Sequence, residues 1–190
     1  MNKNLVLTVL LGLIVQVIMA QTETPKTALI LIDLQDFYFP GGKVELVEPV
    51  KAAEKAKEIL NFFRENEWPV IHVKHQFEPG GDINVIVQPQ EGEKVIVKKE
   101  VNAFNGTHLN EYLKELGIKQ VVIVGMQTHM CVEGATRGAY DLGYKVIVVD
   151  DACATRNLIY NDVKVTAAQV HASTLLTLKS YAKIFRAEEF

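Results

Sequence analysis

The chain has little cysteine: Cys131 and Cys153 are the only thiols among 190 residues. Two thiols at that spacing make no small-domain disulfide framework, and the lack of a Cys-x-x-Cys pair argues against a dithiol redox role. Basic clusters are missing as well, and the net charge is only −3. Such a chain lacks the electrostatic footprint of a nucleic-acid binder or of a polybasic membrane patch. No glycine-rich dinucleotide fingerprint follows the first strand pattern, where LQDFYFPGG stands instead, so a nucleotide-binding Rossmann enzyme is disfavoured. What the chain does have is a globular balance, 48% apolar and 23% charged, over a length that suits one domain with a sizeable core.

The start of the chain reads separately. Lys3 is a short positive start, Leu5 to Met19 is apolar except for Thr8, Gly12 and Gln16, and Ala20 precedes the polar stretch Gln21 to Lys26. The apolar core is too short for a comfortable membrane span, and the pattern is that of a secretory signal peptide over residues 1–20. An uncleaved anchor is the alternative. The expected product is a secreted or periplasmic protein with a short linker at 21–26, one domain at 27–190, and no membrane contact after cleavage. Export permits disulfides, yet a bridge would tie up Cys131, and two separate thiols are expected.

Strand and helix patterns then alternate. Ala28 to Asp33 (ALILID) is an apolar run that delivers a carboxylate at its end, and helical spacing follows from Val50 to about Glu65, with Pro49 in its first turn. Val70 to Val73 is a second strand, Gln76 to Gln90 a long loop rich in proline and glycine, and Val95 to Val97 a third strand ending at Lys98. Thr107 can cap a helix through Leu116. Val121 to Val124 is a fourth strand, Val146 to Val149 a fifth that ends in Asp150 and Asp151, and Lys183 to Arg186 a sixth. Helices are expected from Cys131 to Leu142 and from Val163 to Leu178. The alternation predicts a three-layer α/β/α, Rossmann-like domain with a six-stranded, mainly parallel sheet in the order 3-2-1-4-5-6.

That order places a ligand crevice between strands one and four. Asp33 ends strand one, and Cys131 follows strand four where a helix begins. A thiol at a helix N-terminus is favoured as thiolate, although free cysteine is also commonly a small buried hydrophobe. A carboxylate and an ammonium could activate it without histidine. Asp33 and Lys98 are placed at strand ends on one edge of the sheet, while each alone reads as a turn-capping aspartate and a surface lysine.

Four segments carry a resemblance: DLQDF at Asp33 to Phe37, KKEVNAF at Lys98 to Phe104, GMQTHMCV at Gly125 to Val132, and DLGYKVIVVDDACAT at Asp141 to Thr155. Together they resemble the isochorismatase-like cysteine hydrolases, in that family's order and over nearly all of the chain from Thr27. The resemblance implies a hydrolase for amide, ureido or carbamoyl bonds of a small molecule. It assigns Cys131 as nucleophile, Asp33 as general base and acid, and Lys98 as the charge that holds them, with a thioester intermediate on Cys131. It also implies a non-proline cis peptide at Met126-Gln127 and an oxyanion site made by the backbone N–H groups of Gln127 and Cys131. Family members commonly form dimers or tetramers, and the same is expected here.

Nicotinamidases of the family carry an Asp-x-His pair after strand two. The segment HVKHQFEPGGD has His72 and His75 but no such pair, so no metal and no cofactor is expected; His72 reads as packed in the sheet, and His75 as a possible lining of the site. Phe37, Phe39, Phe104 and His129 are the candidate pocket residues, each equally able to pack the core. His171 reads as structural. Isochorismatase itself, a vinyl ether hydrolase, does not use the cysteine, so Cys131 favours amide chemistry. The rival readings are that isochorismatase-type reaction and a non-catalytic member that binds a small molecule or assembles.

Overall fold

The computed structural model of the chain describes residues 26–190. The expected signal peptide and all of the linker except Lys26 lie outside the described residues. Strand β1 (Thr27–Ile32) is buried at every position, as its unbroken apolar run requires of a strand covered on both faces. It lies between β2 (Val70–His75) and β4 (Gln120–Met126), both parallel to it. β3 (Lys94–Lys98) adds to β2, and β5 (Lys145–Ala154) adds to β4.

Alternate residues of β1 feed different cores. Leu29 and Leu31 pack with Ala52, Ala56, Ile59, Leu60 and Phe63 of helix α1 (Pro49–Glu65) on one face. Ala28, Ile30 and Ile32 pack on the other with Leu109 and Leu113 of α2 (Leu109–Glu115) and with Ala135 and Ala139 of α3 (Glu133–Asp141). This period of two is what turns one apolar strand into the middle of three layers.

Some expected elements differ. The helix expected from Val163 begins instead at Ala167, as α4 (Ala167–Leu178), behind a capping box in which Thr166 and Gln169 satisfy each other's backbone N–H. Val163 belongs to a short hairpin, β6 (Leu158–Tyr160) against β7 (Val163–Val165). Its turn residues Asn161 and Asp162 have φ of 46° and 66°, the positive pair that a two-residue hairpin favours. The alternation in LIYNDVKV carried that signal. β5 in turn runs on past Val149 to Ala154, through a shift in register against β4. The last strand, β8 (Lys183–Phe185), joins β5, so the sheet order is 3-2-1-4-5-8. This is the expected order, with the hairpin accounting for the label.

A polar staple fixes β2, β3 and α1 together. His72 is buried in the sheet, and its Nε2 is 2.9 Å from Glu93 Oε2. Arg64 at the end of α1 grips the same carboxylate at 2.7 and 2.9 Å. Burial works against the Glu93 charge, but Arg64, the Gln90 N–H and His72 hold its carboxyl down to about 2 from an ordinary 4.5. A carboxyl depressed on folding stabilises above its unfolded value and loses that contribution as pH falls through the folded one. The stability gap between the parent and Glu93→Gln should therefore be full above about pH 4.5 and close between there and about pH 2. Urea melts at stepped pH measure this, and a gap that does not change with pH would exclude the staple.

Candidate active site

The carboxyl edge of the sheet brings three strand ends to one place. Asp33 follows β1 with a left-handed φ of 50°, its N–H donating to the Val73 carbonyl at 2.8 Å. Positive φ at a non-glycine residue is held only by strong surroundings and concentrates at functional sites. Lys98 is the last residue of β3, and the β2–β3 register sets it opposite His75. Gly125, near the end of β4, has a φ of 130°, and a Cβ there would collide with the Ile32 carbonyl. Glycine lets β1 and β4 converge at this point.

Beyond β4 the Met126-Gln127 peptide is cis, as the family resemblance implied. A π-helical turn (Thr128–Val132) follows, closed by the Val132 N–H on the Gln127 carbonyl at 3.3 Å. Cys131 is the fourth residue of that turn. It lies ahead of α3, where sequence spacing placed it at the start of a regular helix. Single π turns recur at functional sites because they re-aim a side chain.

Here the turn aims Sγ at Lys98. The ammonium donates to Cys131 Sγ at 3.2 Å and stands 2.8 Å from Asp33 Oδ2. It also meets His75 Nδ1 at 3.1 Å and the Glu100 carbonyl at 3.2 Å. The Asp33 and Lys98 side chains have no exposed surface, and Cys131 is 5% exposed. An ammonium taken from water at this depth is tolerable only when paired and hydrogen-bonded.

The protonation state differs from the helix-dipole expectation. Burial pushes the Cys131 thiol up to about 12, the Asp33 charge adds to this, and Lys98 opposes both. A helix terminus contributes roughly 0.3–1 kcal/mol, less than the ~1.4 kcal/mol that one pKa unit represents. Desolvation wins, and the resting thiol keeps its proton. Burial likewise raises the Asp33 carboxyl above its ordinary range, against the pull of Lys98 and of the thiol's hydrogen bond. Two groups whose proton affinities are both raised, and which share one ammonium, are suited to pass a proton between them.

The remaining candidates are spread around this cluster. Gln127 is buried, and its Nε2 donates to the Tyr38 hydroxyl at 3.2 Å. His129 Nδ1 is 2.6 Å from Thr155 Oγ1, and His171 Nδ1 is 2.9 Å from Thr128 Oγ1; both histidines brace the turn that carries Cys131. Phe37 and Phe39 are packed into the core on the α1 side. Phe104 packs on the opposite core, its ring 6.3 Å from that of Tyr144. A cavity of about 430 Å³ lies beyond β5, lined by Asp150, Asp151, Cys153, His171 and Arg186. None of Asp33, Lys98 and Cys131 lines it, and Arg186 already pairs with both acids there, at 3.7 and 3.4 Å. Cys153 is a second, separate thiol, buried opposite Gly125.

Gln35 is a fully buried polar side chain beside this cluster that sequence reading passed over. Its Oε1 accepts from the His75 N–H at 2.7 Å, and its Nε2 donates to the carbonyls of His75 at 2.9 Å and Gly81 at 2.7 Å. A lone amide inside the run LIDLQDF was the available signal, since a fully buried glutamine must satisfy both ends.

The profile of the Isochorismatase domain matches residues 27–180. The isochorismatase family protein YddQ of Bacillus subtilis is 42% identical over 176 residues, which cover 86% of this chain and 98% of the relative. Nicotinamidase 3 of Arabidopsis thaliana is 28% identical, with 80% of this chain and 79% of that protein covered. Among solved structures, a putative isochorismatase hydrolase from Oleispira antarctica superposes with a TM-score of 0.84 at 42% identity, covering 90% of this chain and 98% of that one.

Proposed function

The chain belongs to the isochorismatase family of hydrolases, and from that membership we propose that it cleaves a carbon–nitrogen bond of a small amide, ureide or carbamoyl compound through a thioester on Cys131. One observation carries the reading: Lys98 Nζ stands between Asp33 Oδ2 at 2.8 Å and Cys131 Sγ at 3.2 Å. The thiol is protonated at rest, so attack and proton loss are coupled. Sγ bonds to the carbonyl carbon while the thiol proton passes to Asp33, and Lys98 stabilises the negative charge wherever it lies between the two.

The carbonyl oxygen gathers charge and takes hydrogen bonds from the Gln127 and Cys131 N–H groups, which need no reorganisation if already aimed. Asp33 then gives its proton to the departing nitrogen, and the C–N bond breaks to leave a thioester. Water attacks that thioester as Asp33 removes its proton. The C–S bond breaks, the carboxylic or carbamic acid leaves, and the thiol regains its proton from Asp33. Nicotinamidase 3 is a relative whose name denotes amide cleavage, which supports the bond type.

The burial of Cys131, only 5% exposed, favours small substrates over the extended chain of a peptide. The sequence from Lys3 to Ala20 supports export as the setting. The test is a panel of small amides, ureas and carbamoyl compounds, followed by ammonia or amine release. Turnover of at least one member is expected, and inertness toward a broad panel would sink the bond assignment.

A further inference from the structure

We propose that His75 is a positioning residue of this site: its Nδ1 fixes the Lys98 ammonium on the Asp33–Cys131 pair, and Gln35 in turn fixes His75. The inference rests on the cysteine hydrolase reading of the site. An ammonium has only donors, so the 3.1 Å contact between Lys98 Nζ and His75 Nδ1 requires a bare Nδ1. The ring is then neutral with its proton on Nε2. Lys98 has three protons, and Asp33, Cys131, His75 and the Glu100 carbonyl surround them. Removing His75 would leave the Lys98 nitrogen free to tilt toward Glu100 and away from sulfur.

The placement of the ring is set from two sides. The register of β2 on β3 pairs His75 with Lys98, and Gln35 holds both backbone polar groups of His75. Asp33 and Gln35 stand two residues apart on the segment leaving β1. The same turn thus supplies the base and steadies the group that orients its ammonium partner.

A second consequence is an acid switch. The groups facing the imidazole are Lys98 and Glu100 from the β3 side and Asp33 from the β1 side. Burial and Lys98 lower its pKa, and the two acids oppose them. Protonation at Nδ1 would replace an acceptor with a cation 3.1 Å from the ammonium, driving Lys98 off its partners. Asp33 must also be ionised to act as base. Activity should therefore fall at low pH as these two groups take up protons.

The test compares the parent with His75→Ala and His75→Asn. An asparagine oxygen can replace Nδ1 as acceptor but does not titrate. One readout needs no substrate: the rate at which iodoacetamide alkylates the peptide containing Cys131, followed by mass spectrometry from pH 5 to 9. Loss of one charge-assisted hydrogen bond should slow alkylation at pH 8 about tenfold in His75→Ala, and His75→Asn should recover to within about threefold of the parent.

On whichever substrate is turned over, the acid limb of kcat should shift in His75→Asn, where Asp33 still titrates and residue 75 does not. Nitrogen-15 spectra of the parent should show His75 as the Nε2–H tautomer at neutral pH. Equal alkylation in all three proteins, an Nδ1–H tautomer, or an acid limb of kcat identical in His75→Asn and the parent would each overturn the proposal. If His75→Ala does not fold, the tautomer and the asparagine variant still decide. Failure of every substrate with the alkylation pattern intact would remove the amidase reading and leave the positioning role standing.

Discussion

Cys131→Ala should reduce turnover by about 10⁴-fold or more, the scale on which loss of a covalent nucleophile acts, with stability nearly unchanged. Only a sulfur is removed from a site that is already tight, and the Lys98–Asp33 pair at 2.8 Å survives the change. Acid-quenched parent protein should carry an acyl mass on the Cys131 peptide during turnover, and the variant none. Cys131→Ser should not rescue the rate, because a hydroxyl is a far poorer nucleophile at its own pKa than a thiol. Residual activity within tenfold of the parent, or an acyl mass on another residue, would move the nucleophile elsewhere.

The second large effect is on stability. Asp33 and Lys98 have no exposed side-chain surface, so deleting one partner strands a charge. Asp33→Leu leaves Lys98 with a neutral thiol, a histidine and a carbonyl, and should destabilise the fold by about 3–5 kcal/mol. Lys98→Met strands a carboxylate that already binds its proton more tightly than usual. That variant can escape by protonating Asp33 and should lose less. Combining Asp33→Leu with Lys98→Met removes both charges and should recover most of the loss, since buried pairs replaced by apolar groups are often neutral. Urea melts of the four proteins give the cycle. Additive losses in the double variant would show that the pair is not coupled, and all four should be compared at one pH because Asp33 titrates.

The same balance explains why the site is buried. In water the three groups would each keep an ordinary proton affinity, and Asp33 would be too weak a base for an ordinary thiol. Out of water both affinities rise, and Lys98, within reach of each group, keeps the net charge near neutral whichever of them holds the proton. The polar groups around it are therefore supports that water would otherwise displace: Gln35, the His75 backbone, Tyr38 with Gln127, and Thr128 with His171.

Particular segments show what could be read early. ALILID was legible as a doubly covered strand because every residue before Asp33 is apolar, and the structure buries all of β1. The helix after it was legible because Ala53, Ala56, Leu60 and Phe63 repeat at helical spacing and all reach the core. By contrast, Val163 fitted a helical period by chance and is 60% exposed in a hairpin. The capping box at Thr166 was the better signal there. Phe37 and Phe39 show a related ambiguity, since an aromatic after a catalytic candidate looks alike whether it lines a pocket or fills a core.

By itself the sequence determined the alternation of strands and helices, and with it the sheet edge at which Asp33 follows β1, Lys98 ends β3 and Cys131 comes after β4. These follow from periodicity along the chain, which is local. Tertiary structure alone decided that the thiol rests protonated, that Cys131 sits in a π turn, and that His75 meets Lys98 while Gln35 holds the His75 backbone. Desolvation depends on what covers a group, and cross-strand contacts depend on register; neither quantity exists until distant segments have packed.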